Sequence, residues 1–106
     1  MVKVTFILKK TEYIGFKAIG HAGFSKKGED VVCAGVSSCI IGGLNAIENI
    51  DSFDISITEG DVSCLLKENK EISEHDKIVL DTIKTQLLTI EKEYGKYIQY
   101  REERIG

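Results

Sequence analysis

Cysteine is scarce in this sequence, and proline and tryptophan are absent. The three cysteines, Cys33, Cys39 and Cys64, form no close pair, so we predict no disulfide framework and a reducing compartment. No CxxC pair and no histidine–cysteine cluster at zinc spacing occurs, which argues against a metal site. Without prolines, repeats or low-complexity tracts, no linker can be recognised, and residues 1–106 are expected to form one domain.

Basic residues are not in excess, and long apolar runs are missing. The net charge of -3 argues against nucleic-acid binding through a broad basic surface, although it allows a mildly basic protein partner. No apolar run approaches the roughly 20 residues of a membrane span. The first residues, MVKVTFILKK, have too short an apolar segment for a signal peptide and no small-residue cleavage site. We therefore expect a cytoplasmic protein without membrane contact.

Two periodicities divide the chain into seven elements. Alternating apolar residues predict strands at residues 2–9, 14–22, 53–57, 62–66 and 97–102. Apolar residues at helical spacing predict one helix capped by Asp30 and a second capped by Ser73 that ends near Gly95. The order ββαββαβ predicts an α+β fold, a small two-layer domain whose mostly antiparallel sheet is covered by two helices.

The first predicted helix contains an unusual number of glycines. Gly35, Gly42 and Gly43 each cost about 0.5 to 1 kcal/mol relative to alanine in a helix interior. Either close approach of another backbone, from the sheet or a second subunit, or room for a substrate chain would compensate. Packing is the preferred explanation for Gly42 and Gly43, whereas for Gly35 both stay open.

Cys33 falls in the first turn of this helix, where unpaired N–H groups and the positive end of the helix dipole favour a thiolate. The N–H groups of Cys33, Ala34 and Gly35 are candidate donors to an oxyanion. His21 is the candidate base, and a Cys–His pair of this kind performs acyl transfer. Asp30 is either a plain helix cap, which is the simpler interpretation, or an acid that orients His21.

The residues alone also permit a structural interpretation. A single cysteine and a single histidine are by default a packed thiol and a surface side chain. Ser37, one helical turn beyond Cys33, is either a hydrogen-bond donor to the site or simply a small residue. Cys39 and Cys64 are expected to be packed, and His75 to be solvated.

The motif G-H-A at residues 20–22, followed by a glycine-containing loop and by D-V-V-C-A-G-V-S at residues 30–37, resembles the Prp family of bacterial ribosomal-processing cysteine proteases. The resemblance implies a small cytoplasmic homodimer. It would remove the N-terminal extension of a large-subunit ribosomal protein, L twenty-seven, with no cofactor and no direct contact with nucleic acid.

Carried onto this chain, the resemblance makes Cys33 the nucleophile and His21 the base and later the acid. Asp30, Ala34, Gly35 and Ser37 would support the reaction or hold the oxyanion. The loop between the two motif halves would be a lid over the substrate, formed by Gly23, Phe24, Ser25, Lys26, Lys27 and Gly28.

Two other functions remain open at this point. The first is a non-catalytic ribosome-associated binding protein in which Cys33 is structural. The second is a thiol redox sensor, which is weakened because no resolving cysteine lies close to Cys33 in the sequence.

Overall fold

A computed structural model describes residues 1–23, 25–26 and 30–106. The elements follow the predicted order ββαββαβ, with a short 3-10 turn at Ile50–Ser52 before the third strand. Their bounds are β1 Val2–Lys9, β2 Glu12–Ile19, α1 Val31–Asn45, β3 Phe53–Thr58, β4 Asp61–Leu66, α2 Glu74–Tyr94 and β5 Ile98–Ile105.

The five strands form one mixed sheet in the order β3-β4-β2-β1-β5. Three of the four neighbouring pairs are antiparallel, and β1 pairs with β5 in parallel. Parallel strands need a long crossover connection, usually one that contains a helix. The chain between β1 and β5 contains both helices, so it can return to the sheet in the same direction as β1. The predicted sheet, mostly antiparallel and covered by two helices, is confirmed.

Strand β2 ends earlier than predicted, at Ile19 rather than at residue 22. Gly20 has a φ of +104°, which takes the backbone out of the extended conformation. His21 and Ala22 therefore lie beyond the sheet and cross towards helix α1. Strand β5 is longer than predicted because it pairs with β1 along its whole length, up to Lys9 opposite Ile105.

Both helices and one face of the sheet share a single apolar core. Helix α1 contributes Val32, Val36, Ile40 and Leu44, and α2 contributes Leu80, Ile83 and Leu87. On the sheet, Phe6 lies opposite Phe16, and their rings stack at a centroid distance of 5.3 Å.

The helix glycines have different surroundings. A Cβ at Gly43 would overlap the side chain of Ile83, so this position is closely packed, but against a side chain of α2 and not against the backbone of the sheet or of a second subunit. A Cβ at Gly35 would lie 3.6 Å from Ile90 Cδ1, an ordinary contact on α2. For Gly42, none of the described residues has an atom within 4 Å of that position. Nothing within the described chain explains Gly42.

Asp76, a fully buried carboxylate, ties the start of α2 to the chain that follows α1. Its oxygens accept hydrogen bonds from the backbone N–H groups of Glu48 and Asn49, at 2.8 and 3.0 Å. Its own N–H donates to Ser73 Oγ, which confirms the predicted cap of α2. The neighbouring His75 is half exposed, as expected, and its Nε2 also bonds with the Ala46 carbonyl at 2.9 Å. Together these contacts fix the far end of α1.

A second polar cluster joins β2, β5 and α2. Tyr100 and Tyr13 both donate to Glu102 Oε2, at 2.6 and 2.7 Å, and Lys84 Nζ lies 4.5 Å from the centre of the Tyr13 ring. The hydrogen bonds from Tyr100 and then Tyr13 lower the pKa of Glu102. The folded protein thus favours the ionised form of this carboxyl.

Asp76→Ala should lose about 3 to 6 kcal/mol of unfolding free energy, because two backbone N–H groups lose a buried, charged acceptor and each bond is worth about 1.5 to 3 kcal/mol. Urea denaturation measures the loss. Asp81→Ala is the matched control: its carboxylate makes an exposed pair with Lys84 at 3.1 Å, worth at most about 1 kcal/mol. Equal losses of unfolding free energy in the two variants would contradict the proposed role of Asp76 in tying the start of α2 to the chain after α1.

Glu102→Gln should lower the melting temperature at pH 7, and the difference from wild type should shrink as the pH falls below about 4.5, the ordinary pKa of the group. A carboxyl whose folded-state pKa is lowered stabilises the fold above its ordinary pKa and loses that contribution on protonation. Thermal melts from pH 3 to 7 test this. Glu103→Gln, on the opposite face of β5, is the control. If the difference in melting temperature between wild type and Glu102→Gln did not vary with pH, an ionised Glu102 would not be what stabilises this cluster.

Candidate active site

A cavity of about 830 Å³ opens where the first turns of α1 meet the segment after β2 and the turn between β3 and β4. His21 and Cys33 both line it, and so does Ser37. The two halves of the sequence motif therefore meet in one cavity. Its volume is within the usual range for a ligand or peptide side-chain site, roughly 300 to 1,000 Å³.

Asp30 determines where α1 begins. Its backbone is extended, with φ -81° and ψ 101°, and its Oδ1 accepts the N–H of Cys33 at 2.9 Å. The helix-cap prediction is confirmed. The second oxygen, Oδ2, accepts the N–H of Ser25 at 3.4 Å. One largely buried carboxylate thus holds both the first turn of α1 and a residue of the loop before it.

Cys33 receives a hydrogen bond at its sulfur. The backbone N–H of Ala22 donates to Cys33 Sγ across 3.2 Å, and Ala22 is itself buried. A donor aimed at the sulfur would stabilise negative charge on it. Since Ala22 directly follows His21, this contact also brings the histidine-bearing segment against the cysteine. This donor could not be predicted from the sequence, because every non-proline residue has a backbone N–H group.

The predicted oxyanion donors on α1 need correction. The N–H of Cys33 is bonded to Asp30 Oδ1, and the N–H of Ala34 donates to the Asp30 carbonyl at 3.0 Å. Both amides are therefore engaged in starting the helix. Gly35 is half-buried, and a Cβ built on it would point towards α2. Room for a substrate chain therefore does not explain the glycine at this position. Of these three residues, Cys33 and Ala34 line the cavity.

His21 is exposed to solvent, and its imidazole lies against Gly60 in the turn between β3 and β4. A Cβ at Gly60 would come 2.9 Å from His21 Nε2. The backbone N–H of Gly20 also donates to the Gly60 carbonyl at 2.8 Å. From the sequence, residues 59–61 are expected only to form a hairpin turn. The proximity of this turn to His21 depends on the tertiary structure.

The loop proposed as a lid is only partly described. Gly23 and Ser25 line the cavity, and Lys26 is exposed. Phe24, Lys27 and Gly28 lie outside the described residues.

Apolar and acidic side chains complete the described wall of the cavity. Ile41 and Ile57 remain substantially exposed there, which is unusual for large apolar side chains. Glu59 and Asp61, on either side of Gly60, add acidic groups at the same turn. The cavity can thus contact both an apolar side chain and a basic group.

The other two cysteines are packed, as expected. Burial, followed by the charge of Asp76, raises the pKa of Cys64 to about 12. Burial also raises the pKa of Cys39. Neither residue is part of the cavity wall, so the described geometry gives them no role beside Cys33.

In the part of the chain that the structure describes, neither helix combines the length and the apolar character needed to cross a membrane.

Comparisons with known proteins agree on one family. The family model described as "Cysteine protease Prp" matches residues 1–99. "Ribosomal processing cysteine protease Prp" from Staphylococcus aureus is 32% identical over 82 residues, 76% of this chain and 77% of that protein. The protein of the same name from Mycoplasma pneumoniae is 33% identical over 89 residues, 82% of this chain and 85% of that one.

A solved structure matches the fold. It is the crystal structure of an essential ribosomal processing protease Prp from S. aureus in complex with a covalently linked product peptide. The two chains superpose with a TM-score of 0.86 at 27% identity, over 97% of this chain and 100% of the other.

Limiting iodoacetamide should alkylate Cys33 about tenfold or more faster than Cys39, and Cys64 slowest, because attack requires an accessible thiolate. With a pKa of about 12, only about one Cys64 in ten thousand is ionised at pH 8. Peptide mapping by mass spectrometry gives the order, and Cys33→Ser should remove the fast phase. Equal rates at Cys33 and Cys39 would contradict the assignment.

Proposed function

The chain belongs to the Prp family of ribosomal processing cysteine proteases, and from that premise we propose that it is an endopeptidase that removes the N-terminal extension of ribosomal protein L twenty-seven. The observation that carries the proposal is the convergence of Cys33, the Ala22 N–H and His21 at one cavity. A structural cysteine would need neither the cavity nor the donor.

Cys33 is the nucleophile of the proposed reaction. His21 takes the proton of the Cys33 thiol, and the sulfur forms a bond to the carbonyl carbon of the scissile peptide. The C–N bond then breaks as His21 gives that proton to the leaving amine, and a thioester to the N-terminal fragment remains. Water, deprotonated by His21, attacks the thioester; the C–S bond breaks, the carboxylate leaves, and His21 returns the proton to the sulfur. No cofactor takes part in these steps.

The oxyanion of the intermediate requires a donor near the attacking sulfur. We assign this contact to the N–H of Ala22, because its acceptor is the attacking Sγ itself, at 3.2 Å, whereas the amides of Cys33 and Ala34 donate to Asp30. Asp30 acts indirectly: its carboxylate sets the start of α1 and so the position of Cys33. Ser37, exposed on the cavity wall, contacts the substrate.

The substrate enters as an extended segment with apolar side chains towards Ile41 and Ile57 and basic groups towards the acidic turn. The net charge of -3 favours a basic protein. The loop with Gly23, Ser25 and Lys26 closes over this segment, which is consistent with the bond from Ser25 N–H to Asp30.

Residues 1–106 would act as one protease domain, as a homodimer in the cytoplasm and without direct contact with nucleic acid. The homodimer is proposed from the family resemblance, and the other three features from the length, composition and charge of the sequence. The non-catalytic binding protein is the alternative. It predicts that Cys33→Ser binds the ribosomal protein as wild type does and that wild type leaves it intact.

Mass spectrometry of full-length L twenty-seven after incubation with wild type, Cys33→Ala and His21→Ala tests the proposal. Wild type should make a single N-terminal cut. Cys33→Ala should lose more than about 1,000-fold in rate, and His21→Ala about 100- to 10,000-fold.

Cys39→Ala and His75→Ala are the matched controls and should cut within about twofold of wild type, since neither residue lines the cavity. Intact substrate with wild type, despite binding, would reject the protease function in favour of the binding protein.

A further inference from the structure

We propose that Gly60, in the turn between β3 and β4, is a positioning residue that holds His21 in its working orientation. The inference rests on the proposed function in that His21 is taken as the acid and base. Its structural part, that Gly60 sets the position of the imidazole, stands on contacts that are independent of any reaction.

The first contact is steric. A Cβ built on Gly60 would lie 2.9 Å from Nε2, 3.3 Å from Cε1 and 3.6 Å from Cδ2 of His21. The ring therefore rests in the space that a side chain at position 60 would fill. Because the imidazole turns about two side-chain torsions, a methyl group there would displace the ring rather than the backbone.

The second contact fixes the backbone beside His21. The N–H of Gly20 donates to the Gly60 carbonyl at 2.8 Å. On the other side of His21, the N–H of Ala22 donates to Cys33 Sγ. His21 is thus held between two anchored neighbours, one on the turn and one on the nucleophile.

The turn is suited to act as a fixed support. Gly60 has a φ of +75°, which glycine adopts at little cost, and Thr58 Oγ1 donates to the Asp61 carbonyl at 3.2 Å across the turn. Thr58, Glu59 and Asp61 also line the cavity. A substrate bound there touches the same turn that supports His21.

Gly60→Ala should lower kcat by about 10- to 100-fold and change KM by less than about twofold, because a displaced acid and base impairs chemistry more than binding. Asn69→Ala is the matched control. Asn69 also has a positive φ, +65°, and is exposed in a turn outside the cavity wall. Because Asn69 already has a Cβ at positive φ, this substitution adds less backbone strain than Gly60→Ala, and it should keep wild-type kcat.

Proton NMR gives a readout without substrate. The chain has two histidines, so the ring signals of His21 and His75 can be assigned by substitution. Gly60→Ala should shift the His21 ring signals and leave those of His75 unchanged, whereas Asn69→Ala should move neither. An unmoved His21 signal together with wild-type kcat would overturn the proposal.

Thermal melts provide a test that requires neither activity nor assignment. If the added methyl group clashes with the ring, Gly60→Ala should be less damaging in a His21→Ala background than in wild type, where its cost should exceed that of Asn69→Ala. Equal costs in both backgrounds would contradict the contact. If wild type cleaves no substrate, the proposed function fails, while the NMR and melting results still decide whether Gly60 positions His21.

Discussion

The hydrogen bond from the Cys33 N–H to the Asp30 carboxylate is the interaction on which the arrangement of the site depends. A helix start without a side-chain acceptor costs about 0.5 to 2 kcal/mol and lets the first turn fray. Here that turn carries the cysteine, so the cap fixes the sulfur as well as the helix. The same carboxylate binds Ser25 N–H, which ties the preceding loop to it.

The opposite end of α1 is held by a second carboxylate. Asp76 accepts two backbone N–H groups from the chain beyond the helix, and Gly43 lets Ile83 of α2 pack closely against α1. With both ends anchored and one face in the core, α1 has little freedom to slide or rotate. A nucleophile on a rigid element keeps its direction better than one on a loop.

The site combines three separate chain segments, the third of which is distant in sequence from the other two. Residues 20–22 bring His21 and the Ala22 N–H, residues 30–37 bring Cys33 and its cap, and the turn at residues 58–61 supports the imidazole. Asp30, which starts the helix, also occupies two of the amides expected to hold an oxyanion: its carboxylate accepts the N–H of Cys33 and its backbone carbonyl accepts the N–H of Ala34. The donor near the sulfur comes instead from the segment that carries His21.

The sequence by itself determined the element order, both helix caps, the packing of Cys39 and Cys64 and the family, because alternation, helical spacing and capping residues are local signals. It did not determine the end of β2, the bond from Ala22 to Cys33 or the support of His21 by Gly60. These features depend on backbone groups and on Gly60 having no side chain. Such groups acquire a role only when the fold brings separate segments of the chain together.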